Sequence, residues 1–405
     1  MVYIFLCAIA GYISGAPIYY RNKIKYLKER GWTVYVFPIY DGKIYISGLE
    51  EYTDRAYPFL DSYINEYSKK ERNKLLEKMA CEIPKADKII IETGSDYTAY
   101  WGELLAKRLG ARHFCFLLDE KNPRITRDVL PFYDFKYKRH ELACITKDTI
   151  KKYFDGYMDI PDDKAYSLKA VCTNSTEDFE SPITDKIITG DYNIGYIGRP
   201  SKSFFGATLD GVLAFSKEVS PKKVSFTVFG GDDEEVLEGI RNRCKEQKNL
   251  DLFITGYMFP FPEKAILKHD MFISGAGSRF VSSRLGVPTL SMDVYHNRPI
   301  KLVEEYLEPL TSEENCNKSV LDFINQVLIE KRDIPKNNFS PVDWDYVCNE
   351  FDEHMDFLSK ASNDLNYLPV ESLPLNSKQK VFKLARKVLT SEGFEKLRDK
   401  KRGVK

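Results

Sequence analysis

Tyr192–Phe205 reads YNIGYIGRPSKSFF. Ile194–Ile197 is a short apolar run, Gly198–Arg199 breaks it, and a helical pattern follows over Leu209–Glu218. A strand that runs into a glycine turn and then a helix is the opening unit of a parallel sheet. The pattern repeats downstream. Val224–Phe229 ends in Gly230–Gly231 and leads into a helix over Asp232–Gln247, which opens on four acids suited to a helix N-terminus. Leu252–Ile254 precedes Thr255–Gly256–Tyr257, and Glu263–Lys268 is a short helix. Met271–Ser274 runs into Gly275–Ala276–Gly277–Ser278, Phe280–Leu285 is helical, and Pro288–Ser291 is the last strand of the series.

Upstream lies a second series of the same kind. Val2–Ala10 reads as a strand, Ser14–Pro17 as a turn, and Ile18–Arg30 as a helix with Tyr20, Ile24 and Leu27 on one face and Gly31 as its stop. Strands follow at Thr33–Ile39, Lys88–Glu92, His113–Leu118, Ala143–Thr146 and Tyr166–Cys172. Helices are expected from about Glu50 to Met79 and over Tyr97–Leu109, which Gly110 stops. Between the two series, TNSTEDFESPITDKIITGD (173–191) is polar and aperiodic, as an interdomain linker is. The expected class is α/β, with a first parallel-sheet domain over 1–175, a linker at 176–191, a second domain over 192–342, and C-terminal helices with a basic tail over 343–405. Asp343–Ser359 is expected to be a helix with Trp344, Val347, Phe351, Met355 and Leu358 on its apolar face.

Composition narrows the function. The 405 residues carry 60 Lys plus Arg against 60 Asp plus Glu, a balance that argues against nucleic acid as a partner. A hydrophobic fraction of 43% with 13% aromatics excludes a disordered or collagen-like chain. None of the eight cysteines forms a C-x-x-C pair, so they read as buried free thiols in a reducing, cytoplasmic compartment. The histidines have no metal-ligand spacing, and no metal is expected. Met1–Tyr20 is uncharged but lacks a basic start and is broken by Gly11, Gly15 and Pro17. It reads as a buried strand and glycine turn in preference to a signal peptide. Ser377–Lys405 has eleven basic and three acidic residues, with Val381, Leu384, Ala385, Val388 and Leu389 as an apolar stripe. It is either a solvated terminal helix or a contact for the inner face of a membrane.

The turns at Ser14–Gly15–Ala16, Gly198–Arg199–Pro200, Gly230–Gly231 and Gly275–Ser278 all follow strands. In open α/β sheets ligands bind beyond the carboxyl ends of strands, and glycine lets backbone N–H groups approach a phosphate. Their recurrence in two series suggests a phosphorylated ligand bridging two domains. Arg199 and Lys202 add cations beside one turn, and Arg279 beside another. His296 follows the last strand and is a weaker candidate.

YNIGYIGRPSKSFF, VSFTVFGGDDEEV (224–236) and the stretch from Asn249 to Asp293 resemble the second domain of two-domain GT-B nucleotide-sugar glycosyltransferases, of the glycogen-synthase-like group 1 type. SGAPIYYRNKIKYLKERGWTVYVF (14–37) is similar to their first loop, helix and second strand. The resemblance implies two Rossmann-like domains with a cleft between them. It also implies a nucleoside-diphosphate-sugar donor as substrate with no cofactor, and a glycan or polyprenyl-linked acceptor in surface polysaccharide or capsule synthesis. It assigns the donor phosphates to Gly15, Arg199, Lys202, Gly277, Ser278 and Arg279, and the nucleoside to Gly230 and Tyr257. Phe204 stands where the family's partner lysine is usual, and Val281 where its second glutamate is. The family's first-domain histidine is also missing, which leaves Asp119, Glu120 and Glu92, at expected strand ends, as candidate catalytic acids or bases. The alternatives are a non-catalytic scaffold of the same architecture and a nucleotide-sugar epimerase.

Overall fold

The computed structural model describes residues 1–11, 13–52, 55–118, 127–172, 175–293, 296–303, 318–331, 344–373, 375 and 377–389. The chain forms two compact units: Met1–Ile44 with Gly48–Val171 and Tyr346–Lys405, and Tyr45–Ser47 with Cys172–Asp345.

The first unit is built on β1 (Val2–Cys7), β2 (Thr33–Pro38), β3 (Ile89–Thr93), β4 (Arg112–Leu117) and β5 (Leu142–Cys144). Their order is β2-β1-β3-β4-β5, and every pairing is parallel. The helices are α1 (Gly15–Glu29), α2 (Lys69–Ala80), α3 (Asp96–Leu109), α4 (Leu130–Lys138) and α5 (Lys147–Phe154). A parallel sheet has to be covered on both faces. Alternate residues Val2, Ile4, Leu6, Ile89, Ile91, Cys115 and Leu117 form one core with Trp101 and Leu105 of α3. On the other face α1 sets Tyr20 against Phe5 and Tyr19 against Phe116.

Two expectations change here. The helix expected from about Glu50 forms only as α2. Ahead of it stand three single turns of 3-10 helix, at Glu50–Tyr52, Pro58–Asp61 and Ile64–Glu66. Tyr57, Phe59, Leu60, Tyr63, Ile64 and Tyr67 are all buried at helical spacing, but Pro58 has no N–H to give a helix interior, and the Ser68–Glu71 capping box starts a new helix after them. The strand expected at Tyr166–Cys172 is reduced to a single bridge between Cys144 and Ser167.

In the second unit, β6 (Thr176–Glu177) pairs with β10 (Phe261–Pro262), and α6 (Pro182–Lys186) lies in the stretch expected as linker. The main sheet comprises β7 (Tyr192–Ile197), β8 (Val224–Phe229), β9 (Leu250–Ile254), β11 (Met271–Gly275), β12 (Thr289–Met292) and β13 (Pro299–Leu302), in the order β13-β12-β11-β7-β8-β9. The sequence did not announce β13, which pairs antiparallel with β12; the other pairings are parallel. The helices are α7 (Phe205–Glu218), α8 (Glu234–Lys245), α9 (Glu263–Ile266), α10 (Arg279–Ser283) and α11 (Val320–Leu328). Gly195 lets β11 close on β7: a Cβ there would stand 2.1 Å from the Phe272 ring.

The C-terminal helices are α12 (Trp344–Ser359) and α13 (Ser377–Val388), which from Tyr346 onward belong to the first unit. α12 lays Phe351 against Tyr19 and Tyr26, His354 against Phe116 and Phe357 against Phe114. It thus covers the part of the aromatic sheet face that α1 leaves open. Among the described residues no helix is long and apolar enough to cross a membrane. Among the same residues seven cysteines are free, four of them buried, with Cys81 exposed against expectation.

Candidate donor-phosphate site

From β7 the second sheet grows through β8 and β9 on one side and through β11 and β12 on the other. The point of reversal therefore lies between β7 and β11, and the crevice outside the carboxyl ends there is where such sheets take ligands. Ser274 ties the two strands together at that point. Its Oγ accepts from the Ile197 N–H at 3.1 Å and donates to the Ile197 carbonyl at 3.2 Å.

The glycine turns converge on the same end of the sheet. Gly198 follows β7 with φ +146°, a conformation L side chains rarely adopt. Gly230 follows β8 so closely that a Cβ would fall 2.1 Å from the Gly198 carbonyl oxygen. A Cβ on Gly231 would be 2.8 Å from the Tyr257 ring, so the loop after β9 packs on the turn after β8. Gly275, at the end of β11, abuts Phe204, the residue found where a lysine is usual. Sequence reasoning missed this wall, although a large aromatic two residues from Lys202 was its signal.

Arg199 is exposed, and among the described residues its guanidinium makes no ion pair. Lys202 is half-buried, with Nζ 5.7 Å from the centre of the Phe204 ring. α7 starts just beyond them with no acid in its first turn and no side-chain cap, so its positive end is uncompensated. Gly277 is exposed, and a Cβ there would meet no atom within 4 Å. Ser278 donates to the Gly275 carbonyl at 2.7 Å, closing the turn. Asp232 accepts the Ser201 N–H at 2.6 Å and the Asp233 N–H at 3.1 Å, which holds the bend after β7 in shape. Tyr257 is half-buried and meets the Tyr45 ring at 4.7 Å. Burial raises its phenol pKa, with Asp232 adding to the rise and Arg199 opposing it, so the three groups share one field.

Two expected site residues are corrected. Arg279 does not aim at a ligand: it is 1% exposed, and its Nη1 donates to Ser291 Oγ at 2.8 Å inside the domain. Glu92 is not an available base. It is 2% exposed and saturated by Lys23 Nζ at 2.6 Å, Tyr3 Oη at 2.5 Å and Tyr19 Oη at 2.6 Å. Its side chain lies on the α1 face of the sheet, where Tyr19 and Lys23 hold it. Asp119 and Glu120 lie outside the described residues. Gly15 is the exposed first residue of α1, and Ser14 makes no side-chain cap to that helix. Among the described residues no cluster of His, Cys, Asp or Glu has metal-binding geometry.

No family model matches the chain, and no curated protein sequence matches it. Solved structures do. Alr3699/HepE from Anabaena, in complex with UDP, superposes with a TM-score of 0.57 at 11% identity, covering 88% of this chain and 100% of that one. A glycosyltransferase from Rickettsia africae has a TM-score of 0.51 at 12% identity, covering 97% and 94%. A UDP-GlcNAc 2-epimerase from Neisseria meningitidis bound to UDP-GlcNAc has a TM-score of 0.42 at 12% identity, covering 95% and 100%. At this identity a likeness speaks to architecture alone. With two α/β units on parallel sheets and these structural relatives, the chain has the GT-B fold of nucleotide-sugar glycosyltransferases.

Proposed function

We propose that the chain is a glycosyltransferase that moves a sugar from a nucleoside-diphosphate-sugar to a glycan or lipid-linked acceptor, as in surface polysaccharide synthesis. The observation that carries the reading is the convergence of glycine turns around an exposed Arg199, which makes no ion pair among the described residues, at the reversal point of the second sheet. As the bond from the anomeric carbon to the diphosphate breaks, negative charge builds on the leaving group. On this reading Arg199, Lys202 and the uncapped start of α7 absorb it, a role that the absence of an acid in the first turn of α7 supports. Tyr257 serves the base, and the spare lone pairs of Asp232 suit ribose hydroxyls. The UDP carried by the Anabaena structure favours a uridine carrier.

The acceptor side belongs to the first unit, where the exposed Gly15 turn opens α1. A lipid-linked acceptor fits α13, which turns Val381, Leu384 and Val388 outward at 63%, 64% and 75% exposure beside exposed Lys380, while Phe382 packs inward. On this reading the protein works in the cytoplasm, at the inner face of a membrane.

Calorimetric titration of the full chain with UDP tests the reading. UDP is expected to bind, and Arg199→Ala to weaken it at least ~10-fold, the worth of a charge-assisted hydrogen bond. Because Arg199 is exposed, the melting temperature should not move. A folded chain that gives no heat with UDP would favour a scaffold without catalysis. A UDP-GlcNAc sample isomerised without any acceptor would assign an epimerase instead.

A further inference from the structure

Of the five histidines, three are buried and held by partners inside the fold. His113 lies against Glu103 at 2.8 Å, His269 against the Ala265 carbonyl at 3.1 Å, and His354 against the Lys169 carbonyl at 2.9 Å. His140 stacks on Phe357. His296 differs. Its side chain is 59% exposed, yet its Nδ1 meets Oδ2 of Asp293 at 2.7 Å, and Asp293 is fully buried. The other carboxylate oxygen accepts the His296 backbone N–H at 3.2 Å, so the aspartate grips the histidine twice. A carboxylate that accepts from Nδ1 places the ring proton there and leaves the Nε2 lone pair free.

The pair stands next to the phosphate turn. Met292 is in register with Gly275, and Asp293 is the next residue. Adjacent strands lie roughly 4.8 Å apart, so the carboxyl ends of β12 and β11 are neighbours. A Cβ on Gly275 would in fact stand 3.2 Å from the Met292 carbonyl oxygen. The pair therefore follows the strand next to the one that carries Gly275–Ser278.

Resting on the donor-site reading above, we propose that His296 is the proton acceptor of the transfer and that Asp293 is its positioning residue. Nε2 takes the proton of the incoming hydroxyl, and that oxygen's electron pair forms the bond to the anomeric carbon. The bond from the anomeric carbon to the phosphate oxygen breaks, and its pair departs on the nucleoside diphosphate beside Arg199. On this proposal His296 takes the part that the resemblance gives to a first-domain histidine, which this sequence lacks.

The test uses full-length protein labelled with nitrogen-15 histidine, the His296 signals being assigned with His296→Asn. Neutral His296 is expected to carry its proton on Nδ1, and UDP is expected to shift its signals while leaving His140 unmoved. An Nε2-protonated ring, or UDP bound by calorimetry without a shift at His296, would overturn the assignment and leave the donor site standing. No UDP heat at all would remove the donor site and this inference with it. In turnover, measured as UDP released from UDP-GlcNAc with water as acceptor, His296→Asn should lower kcat ~100-fold or more with UDP affinity unchanged. An unaltered kcat would refute the role.

Discussion

Lys23 and Glu92 are both fully buried, and Lys23 Nζ also approaches His354 Nδ1 at 3.2 Å and the Tyr19 hydroxyl at 2.9 Å. Burial lowers the lysine pKa while Glu92 works against that fall, so the pair holds only while both members are present. Removing one leaves an uncompensated buried charge. Lys23→Met should cost ~3–5 kcal/mol in denaturant unfolding, and the double variant Lys23→Met, Glu92→Leu much less. His269 gives a second residue-scale prediction. Burial lowers its pKa from 6.5 to about 4, with its Nδ1 on helix carbonyls opposing the shift. The folded-state pKa is below the unfolded one, so this contribution is complete above pH 6.5. It is lost as pH falls towards about 4, because the unfolded chain takes up the proton first. The loss amounts to about 3 kcal/mol. His269→Asn, which keeps an N–H for the carbonyls, should flatten the stability of the second unit across that window.

At the scale of elements, the donor site depends on how closely strand ends approach. The turn after β8 touches the turn after β7 because Gly230 has no side chain. Gly230→Ala should push the Gly198–Arg199 bend aside, cost ~1–3 kcal/mol of stability as overpacking does, and weaken UDP binding as Arg199→Ala does. Gly239→Ala, on the exposed face of mid-α8 with open space around it, should leave UDP affinity unchanged and raise stability by ~0.5–1 kcal/mol as helix propensity dictates. Calorimetry and thermal melts on the two variants separate local crowding from a general intolerance of substitution.

At the scale of the whole molecule, the C-terminal helices do two different jobs. α12 supplies Phe351, His354 and Phe357 to the first unit, whose sheet face would otherwise stand open. A chain ending before Trp344 should therefore lose the cooperative unfolding of that unit, seen as a broadened thermal transition. α13 keeps its apolar side outward. Full-length protein is expected to sediment with vesicles containing phosphatidylglycerol and not with phosphatidylcholine alone. Leu384→Asp with Val388→Asp should abolish that without changing UDP affinity, and equal sedimentation with both lipids would refute the membrane contact.

The strand–turn–helix rhythm of 192–293 and of 2–117 was legible in the sequence because apolar runs, glycine turns and helix stops are local properties set by short-range sterics and burial. The same local logic picked out Gly198 and Gly230, and the family resemblance picked out Tyr257; the fold gathers all three together. Pairing over long distances could not be read that way. Glu92 looked like a strand-end base until α1 and α12 closed over it, and Arg279 looked like a phosphate ligand until Ser291 took it inward. The Asp293–His296 grip and the aromatic cover given by α12 likewise exist only once the chain is packed. A side chain's chemistry depends on whether water or another residue meets it, and distant segments decide that.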